Sequence, residues 1–345
     1  MAQGLSSLDS WMNGIRRQID AALEAFFESK CAEAARLSPR ASELVVEVRE
    51  LTMRGGKRLR PIVMAAAHRA AGGGDASEAT VEAGASLELL QTYLLIHDDW
   101  MDQDLERRGG PAVHYAFERR HGGAHLGASL GILAGDLAST FSWELLLRSH
   151  FPTGRRDEAL RLFIEIQKEV FAGQQLDLMT DPDVERMHDL KTGSYTTRGP
   201  AELGGILAGA DPFSMGSLHA WSAPLGVAFQ LRDDLLSTFG TVKETGKPGD
   251  DLRHGKHNAV VAAFRKLEPD AAAQAALDAV WGRPDATDEA LQAAWEVLAN
   301  AKAEVEARLA VLVDEARSAI ASSPFDPEAK SMLEEVTLRL TERGS

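Results

Sequence analysis

Acidic side chains end an apolar stretch in the sequence His97-Asp98-Asp99-Trp100-Met101-Asp102. On a helix, Asp98 and Asp102 lie on nearly the same face, roughly 6 Å apart along the axis. Two carboxylates so placed repel each other unless a divalent cation or a hydrogen-bond donor lies between them. Their hard oxygen ligands favour magnesium, which keeps waters and shares its coordination shell with substrate phosphates. The alternative is a solvated acidic helix end, although helix C-termini disfavour acids.

The same pattern recurs at the end of a second apolar segment, Gln230-Leu231-Arg232-Asp233-Asp234-Leu235-Leu236-Ser237. Ser237 stands where the first motif has its last carboxylate. Two helices that each end in an Asp pair are rarer than one, and if they face each other they can enclose a cluster of cations. Taken alone, the second segment is equally compatible with a simple charge pair at a helix end.

Four cations fall within seven residues in Arg54-Gly55-Gly56-Lys57-Arg58-Leu59-Arg60-Pro61. Glycine lets the backbone approach an anion, and Lys and Arg donate hydrogen bonds to phosphate. On a chain of net charge −15, this segment predicts local capture of an anion; the alternative is a solvated basic turn. Two weaker basic segments, 191–195 and 245–256, place lysine beside glycine and hydroxyl or acidic groups.

Apolar residues recur three and four positions apart over most of the chain, which is typical of amphipathic helices. This periodicity predicts helices near 6–28, 41–54, 58–71, 78–103, 125–149, 156–178, 215–238 and 286–322. The stretch 267–300 is predicted to be a surface helical hairpin, and no alternation of β-branched residues indicates a strand. We therefore expect an all-α fold, one domain over 1–345, with roughly ten or more helices around a central cavity.

Composition and charge exclude several classes of partner. With 52 acidic and 37 basic residues, the chain repels nucleic acid and anionic membranes, so neither is an expected partner. The single cysteine, Cys31, forms no internal disulfide and fits a reducing cytosol. The N-terminal segment has no signal-peptide pattern, and the most apolar stretch, 87–96, falls short of the ~20 residues of a membrane span. We expect a cytoplasmic protein without stable membrane insertion.

Together, these motifs resemble the trans-isoprenyl diphosphate synthases, the family of farnesyl and geranylgeranyl diphosphate synthases. The resemblance extends over about 55–256, with five motifs in the order and spacing of the family. It implies an isoprenoid synthase-type fold, a homodimer, and the condensation of isopentenyl diphosphate with an allylic diphosphate (dimethylallyl, geranyl or farnesyl).

The resemblance also implies roles for individual residues around three magnesium ions. Asp98 and Asp102 match the ligands of two ions that bridge the allylic diphosphate, and Asp233 matches the ligand of the third. The carboxylates that would orient this shell are Asp99, Asp234 and Asp251. Ser237 departs from the full second motif, which implies weaker support for the metal and no loss of activity.

The remaining matched positions belong to the substrates. The residues that match the allylic diphosphate site are Lys191, Lys247 and Arg107, with Lys256 nearby. Those that match the isopentenyl diphosphate pocket are Lys57, Arg60, Gln91 and Arg108, and many relatives have histidine where this chain has Gln91. Oxygen-bearing side chains fall where the family lines the developing carbocation, at Gln174, Asp177, Thr192 and Tyr195; Gln230 of the second motif is a further substrate-binding candidate.

Product length depends on what blocks the cavity. Tyr93 lies five positions before Asp98, deeper on a similar face, where its ring could stop the growing tail; the alternative is a simple core aromatic. Leu94 is not aromatic, which argues against the doubly blocked floor of farnesyl-forming animal enzymes. An aromatic residue at this position, with no two-residue insertion inside the first motif, resembles the archaeal-type geranylgeranyl synthases, and this resemblance implies a C20 product, with C15 next and longer chains last. His97 is interpreted as structural, because the reaction requires no histidine base.

Two other function classes remain open. A class I terpene cyclase shares the first aspartate motif, but its second metal motif needs Glu where this chain has Thr241. A non-catalytic regulatory subunit usually lacks one aspartate motif, whereas both are largely present here. An absolute requirement for isopentenyl diphosphate in turnover would separate the synthase from both.

Overall fold

Helices form nearly all of the regular structure in the computed structural model, which describes residues 2–74, 77–241 and 248–341. The all-α prediction, with more than ten helices in these ranges, is confirmed. The first helices are α1 (Ala2–Leu37), α2 (Pro39–Met53), α3 (Leu59–Ala70), α4 (Glu78–Met101), α5 (Val113–His121), α6 (Ala124–Arg148) and α7 (Thr153–Leu178). After them come α8 (Val184–His188), a π-helix π1 (Asp189–Arg198), α9 (Gly199–Ala208), α10 (Pro212–Phe239), α11 (Asp250–Arg253), α12 (Ala259–Lys266), α13 (Ala271–Asp278), α14 (Asp288–Val297), α15 (Ala299–Ser322) and α16 (Pro327–Thr341).

The chain divides into two compact units. Unit 1 comprises Met1–Leu162 and Leu203–Ala210, and unit 2 comprises Phe163–Glu202 and Asp211–Ser345. Each unit is described by itself below. A single domain over 1–345, with a central cavity, stays a prediction.

In unit 1, helix α4 packs against α6, α3 and α1. Its inner face is buried through residues such as Leu87, Leu90 and Ile96. The facing side of α6 carries glycines at 127, 131 and 135. A Cβ at Gly127 would lie 2.6 Å from the His114 carbonyl oxygen of α5, so only glycine permits this approach.

In unit 2, helix α10 packs against α15, π1 and α16. Trp221 of α10 is fully buried, and its indole N–H donates to Thr337 Oγ1 on α16 at 2.9 Å. The C-terminal half of α10 shares an apolar core with α12 and with the helical hairpin α13–α14. Leu235, Leu277 and Leu291 belong to this core. The hairpin predicted over 267–300 is therefore helical, with one face buried.

Side chains cap the starts of several helices. Ser77 caps α4 by accepting from the Thr80 N–H, and Asn258 caps α12 by accepting from the Val261 N–H. The short helices α5, α8, α9 and α12 span too few turns for a periodicity signal and were not predicted; α16 was also missed. The helix expected over 286–322 is interrupted at Leu298, whose backbone N–H still donates to the Ala294 carbonyl.

By length and composition alone, helix α6 is long and apolar enough to cross a bilayer. Among the described residues, no other helix meets this criterion. This corrects the expectation that the stretch 87–96 was the most apolar. Of its most apolar window, 44% is buried inside the protein. Core helices of soluble proteins pass the same test, so α6 alone does not indicate a membrane span.

Replacing Gly226 by alanine tests the close crossing of α10 and π1. A Cβ at Gly226 would lie 2.3 Å from Gly193 Cα of π1, so Gly226→Ala should lower the free energy of unfolding by about 1–3 kcal/mol. Gly216→Ala on the same helix is the matched control, because nothing lies within 4 Å of its Cβ and Ala is the better helix former. Urea denaturation measures both; equal effects would contradict the close-packing account.

Candidate active site

A two-residue antiparallel ladder in unit 1 positions Arg107 and Arg108. The strands β1 (Glu106–Arg107) and β2 (Gly110–Pro111) pair with Arg107 opposite Gly110. The turn residues Arg108 and Gly109 have φ of 53° and 71°, which is the type I′ turn that matches strand twist. The sequence predicted no strand here, because two residues give no alternating pattern; the turn signal was the Gly109-Gly110 pair.

The first aspartate motif ends α4 with one buried carboxylate and two accessible ones. Asp99 is fully buried, and its Oδ1 accepts from Arg107 Nε at 2.6 Å. Burial raises the pKa of Asp99 to about 6, and Arg107 opposes that rise. Asp98 and Asp102 are half-buried, and the Asp102 N–H donates to the Asp98 carbonyl at 2.8 Å, so they lie one turn apart.

This donor set fits magnesium. Within the described ranges, no three His, Cys, Asp or Glu side chains form a ready-made metal cage. Magnesium does not require one, since it is bound through one or two carboxylates and completes its octahedron with water and phosphate oxygens. Asp98 and Asp102 supply such a pair, while Arg107 keeps Asp99 turned into the protein.

One buried cation of the basic segment after α2 forms ion pairs within unit 1. Arg58 is 3% exposed and stands at φ 49° before α3. Its guanidinium donates to Asp20 Oδ1 at 2.8 Å and Glu88 Oε2 at 2.7 Å. Lys57 on one side is exposed and Arg60 on the other is buried. The segment was predicted to capture an anion, with Lys57 and Arg60 as its substrate-binding residues, and the structure shows that Arg58 is committed to the fold.

Arg54 joins this segment to the β-hairpin. Its Nη1 donates to the Pro111 carbonyl at 2.7 Å and to the Arg107 carbonyl at 3.2 Å. A Cβ at Gly56 would lie 3.6 Å from Arg108 Nη2. Burial lowers the pKa of Arg108, and neighbouring arginines add to that effect. Unit 1 thus gathers a local surplus of positive charge that suits a diphosphate.

Sequence reasoning missed Asp20 and Glu88 as the partners of Arg58. Glu88 is 2% exposed, and its Oε1 is buried with no hydrogen-bond partner among the described residues. A signal existed, since Glu88 is a charged residue inside the apolar stretch 87–96. Gln91 follows it by three positions on α4, hence on a neighbouring face.

In unit 2, the π-helix π1 carries Lys191 and Thr192 between two glycines of other helices. A Cβ at Gly173 of α7 would lie 2.2 Å from Lys191 N, and one at Gly226 of α10 would meet Gly193. Lys191 Nζ lies 2.5 Å from Asp177 Oδ2 of α7. π-Helical turns are uncommon and recur at functional sites, so the π-helix agrees with a functional role for Lys191 and Thr192. The periodicity of the sequence did not predict this helix type.

The second aspartate motif repeats the local design of the first. Asp234 is 4% exposed; its Oδ1 accepts from Gln230 Nε2 at 3.0 Å and its Oδ2 from the Ala259 N–H at 2.8 Å. Burial raises the pKa of Asp234 to about 7. Gln230 Oε1 in turn accepts from Thr192 Oγ1 at 3.1 Å. Asp233 remains half-buried, in the same relation to its neighbour as Asp98 to Asp99.

Asp251 joins the same region through Asn258, a residue that sequence reasoning missed. Asn258 Nδ2 donates to Asp251 Oδ2 at 3.0 Å and to Thr238 Oγ1 at 2.9 Å. Burial raises the pKa of Asp251 to about 7. Ser237 donates to the Asp233 carbonyl of its own helix at 2.9 Å, so its hydroxyl is used within α10.

The predicted site residues are thus distributed over both units. Unit 1 holds Lys57, Arg60, Gln91, Tyr93, Leu94, Asp98, Asp102, Arg107 and Arg108. Unit 2 holds Gln174, Asp177, Lys191, Thr192, Tyr195, Gln230, Asp233 and Lys256. Lys247 lies outside the described residues. That the two aspartate motifs face each other stays a prediction.

Tyr93 is buried on α4, four positions before His97. Burial raises the pKa of the Tyr93 phenol to about 12, so its ring is neutral. Leu94 beside it is half-buried.

The model of the polyprenyl synthetase family matches residues 42–298 of this sequence. The chain belongs to this family. It is 31% identical over 258 residues to the short chain isoprenyl diphosphate synthase of Methanocaldococcus jannaschii, covering 72% of this chain and 74% of that one. It is 31% identical to the geranylfarnesyl diphosphate synthase of Aeropyrum pernix, covering 81% and 87%.

A solved structure has the same fold along nearly the whole length. The geranylgeranyl pyrophosphate synthase of Corynebacterium glutamicum, complexed with isoprenyl diphosphate and magnesium, superposes with a TM-score of 0.88 at 31% identity. The match covers 98% of this chain and 99% of that one. The resemblance inferred from the motifs is confirmed.

Removing Glu88 tests the buried ion pair. Glu88→Ala leaves the Arg58 guanidinium buried beside an incomplete partner set, so the free energy of unfolding should fall by about 3–5 kcal/mol. The control is Glu33→Ala, whose carboxylate pairs with Lys30 but is 61% exposed; it should change stability by less than about 1 kcal/mol. Urea titration followed by circular dichroism compares the two, and similar losses would refute a special role for Glu88.

Proposed function

We propose that this chain is a short-chain prenyltransferase that adds isopentenyl diphosphate to allylic diphosphates, with geranylgeranyl diphosphate as its main product. One observation supports this most strongly. In each unit an apolar helix carries an Asp pair whose second carboxylate is buried and hydrogen-bonded, at Asp99 and at Asp234, while the first is accessible. Family membership and the magnesium in the related structure support metal binding by this chain.

We assign the metal ligands as Asp98, Asp102 and Asp233, for three magnesium ions. When bound, magnesium would withdraw negative charge from the departing diphosphate and so lower the barrier to breaking its C–O bond. The buried neighbours Asp99 and Asp234 are hydrogen-bonded within the protein, so the proposed ligands beside them keep their orientation.

The cations of the chain are assigned to the two diphosphates. Arg107 and Lys191, with Lys247 and Lys256, would hold the allylic diphosphate; Lys57, Arg60, Arg108 and Gln91 would hold isopentenyl diphosphate. Lys191 has three donors, so it can bind an oxygen of the ligand while Asp177 keeps it in place. Arg107 is held in the same way by Asp99.

The proposed condensation requires no nucleophilic side chain of the protein. The allylic C–O bond breaks, the double bond of isopentenyl diphosphate forms the new C–C bond, and the released diphosphate takes the proton. Oxygen atoms of Gln174, Asp177, Thr192, Tyr195 and Gln230 would line the allylic cation, and apolar side chains would exclude water that quenches it.

A direct assay distinguishes this proposal from the other classes. Purified protein receives magnesium, isopentenyl diphosphate and one allylic diphosphate (dimethylallyl, geranyl or farnesyl), and dephosphorylated products are separated by chromatography. Chain extension supports the synthase. A hydrocarbon product formed without isopentenyl diphosphate would indicate a cyclase, for which Thr241 is the wrong residue; no turnover at all would indicate a regulatory subunit.

Loss of a metal ligand should abolish turnover without unfolding. Asp98→Ala and Asp233→Ala should each lower kcat by about two orders of magnitude or more, because transition-state charge loses its stabilisation. EDTA should stop the wild-type reaction and excess magnesium should restore it. Asp314→Ala, at an exposed carboxylate on α15, is the control. Normal turnover in either motif variant would contradict the assignment.

Tyr93 is proposed as the floor that stops the growing chain. Tyr93→Ala should shift products towards chains longer than C20, since a smaller side chain leaves room for further isoprene units. The product ratio after dephosphorylation measures this. If the ratio stays that of the wild type, Tyr93 is only a core aromatic; a C15 wild-type product would support the farnesyl alternative.

We also propose that the protein is a cytoplasmic homodimer whose two subunits contact each other through α6. Three exposed leucines lie at multiples of seven positions on this helix, with Leu126 45%, Leu133 50% and Leu147 50% exposed, and exposed Thr140 takes the place between the last two. Such a stripe covers one helix face, and a second copy offers a self-complementary match under two-fold symmetry.

Charge on this stripe should separate the subunits. Leu133→Glu should shift the mass from dimer to monomer in size-exclusion chromatography with light scattering, because a carboxylate in an apolar interface is costly to bury. Leu37→Glu, at a residue 79% exposed at the end of α1, should leave the mass unchanged. A monomeric wild type would refute the dimer.

A further inference from the structure

The ring of His97 packs directly on the proposed floor residue. Tyr93 and His97 lie four positions apart on α4, and their ring centroids are 4.9 Å apart with planes at 74°. This is the edge-to-face geometry that aromatic rings favour. Tyr93 is 8% exposed and the His97 side chain 20%, so the imidazole is the more exposed of the two side chains.

Helix α6 fixes the imidazole from the other side. His97 Nε2 lies 3.1 Å from the Ile132 carbonyl oxygen. A carbonyl can only accept, so Nε2 carries the proton and donates. Asp136 Oδ1 is a weaker neighbour at 3.9 Å. The imidazole therefore has a defined position and cannot turn away from Tyr93 without losing this hydrogen bond.

Gly135 provides the space for His97. A Cβ at position 135 would lie 2.2 Å from His97 Nε2 and 2.3 Å from its Cδ2, closer than any real contact. A larger residue would displace the ring from its place against α6 and so change its contact with Tyr93. The glycine, the imidazole and the phenol thus form one packed series.

We propose that His97 is a positioning residue for product length, which holds the Tyr93 ring in place through the contact that Gly135 permits. The inference rests on the proposed function, in which Tyr93 stops the chain. Without the imidazole, the Tyr93 side chain gains access to other staggered rotamers and opens space for a longer tail. His97 itself touches no reacting atom.

Product length, and not turnover alone, is the readout, because a merely structural residue would not move it. His97→Ala should raise the ratio of products longer than C20 to C20 by about fivefold, as expected for loss of one aromatic contact. His97→Phe keeps a ring on Tyr93 without the hydrogen bond and should fall nearer the wild type. Gly135→Ala, which displaces the imidazole from α6, should change the product profile from that of the wild type.

A double-mutant cycle tests the mechanism. If Gly135→Ala acts by displacing the imidazole, it should change nothing further in the His97→Ala background. The matched control is Gly14→Ala on α1, where nothing lies within 4 Å of the added Cβ; its profile should stay that of the wild type. Circular dichroism establishes that each variant is folded.

Each outcome has one meaning. If Tyr93→Ala lengthens products but His97→Ala does not, the role of His97 is refuted and the floor survives. If Tyr93→Ala has no effect, the proposed floor itself fails. If His97→Ala lengthens products equally in a Tyr93→Ala background, His97 acts independently and the inference is wrong. Should His97→Ala not fold, an unchanged profile in folded Gly135→Ala refutes the inference.

Discussion

Both aspartate motifs depend on the cost of burying a carboxylate. Asp99 lies near the end of α4 and Asp234 in the last two turns of α10; both are removed from water, and burial raises the pKa of each. Such groups persist only when hydrogen-bonded, by Arg107 in one unit and by Gln230 with the Ala259 N–H in the other. The anchored carboxylate fixes the helix end, so the preceding aspartate is left accessible for a ligand.

In unit 1, a buried positive charge is likewise stabilised by acidic partners. Arg58 is buried and neutralised by Asp20 and Glu88, which removes it from ligand binding. The cations around it, such as Arg60 and Arg108, keep a local excess of positive charge on a chain of net charge −15. An anionic substrate is therefore attracted to a small region, although the protein as a whole repels anions.

Glycines decide how closely the helices approach. Gly131 and Gly135 admit α5 and α4 to α6, while Gly173 and Gly226 admit π1 between α7 and α10. In each case the missing side chain leaves room for atoms of the neighbouring helix, namely the His97 ring at Gly135 and backbone atoms of Lys191 at Gly173. The tight fit around Lys191 and around His97 follows from these contacts, and both residues are held without flexible loops.

The motifs could be recognised from the sequence because they are local. A carboxylate pair four positions apart, four cations in seven residues and helical periodicity require only neighbours along the chain, so they predicted the all-α fold and the family. Short helices such as α12 and the two-residue ladder around Arg107 gave too little periodicity to be predicted.

Only the tertiary structure decided which charged residues serve the fold. Arg58 and Arg60 look alike in sequence, but Glu88 on another helix neutralises the first. Asn258 became recognisable as a link between Asp251 and Thr238 only through contacts across helices. Burial and pairing depend on packing between distant segments, and no spacing along the chain encodes them directly. The sequence alone therefore determined the chemistry available to this protein, and packing determined which side chains remain accessible to carry it out.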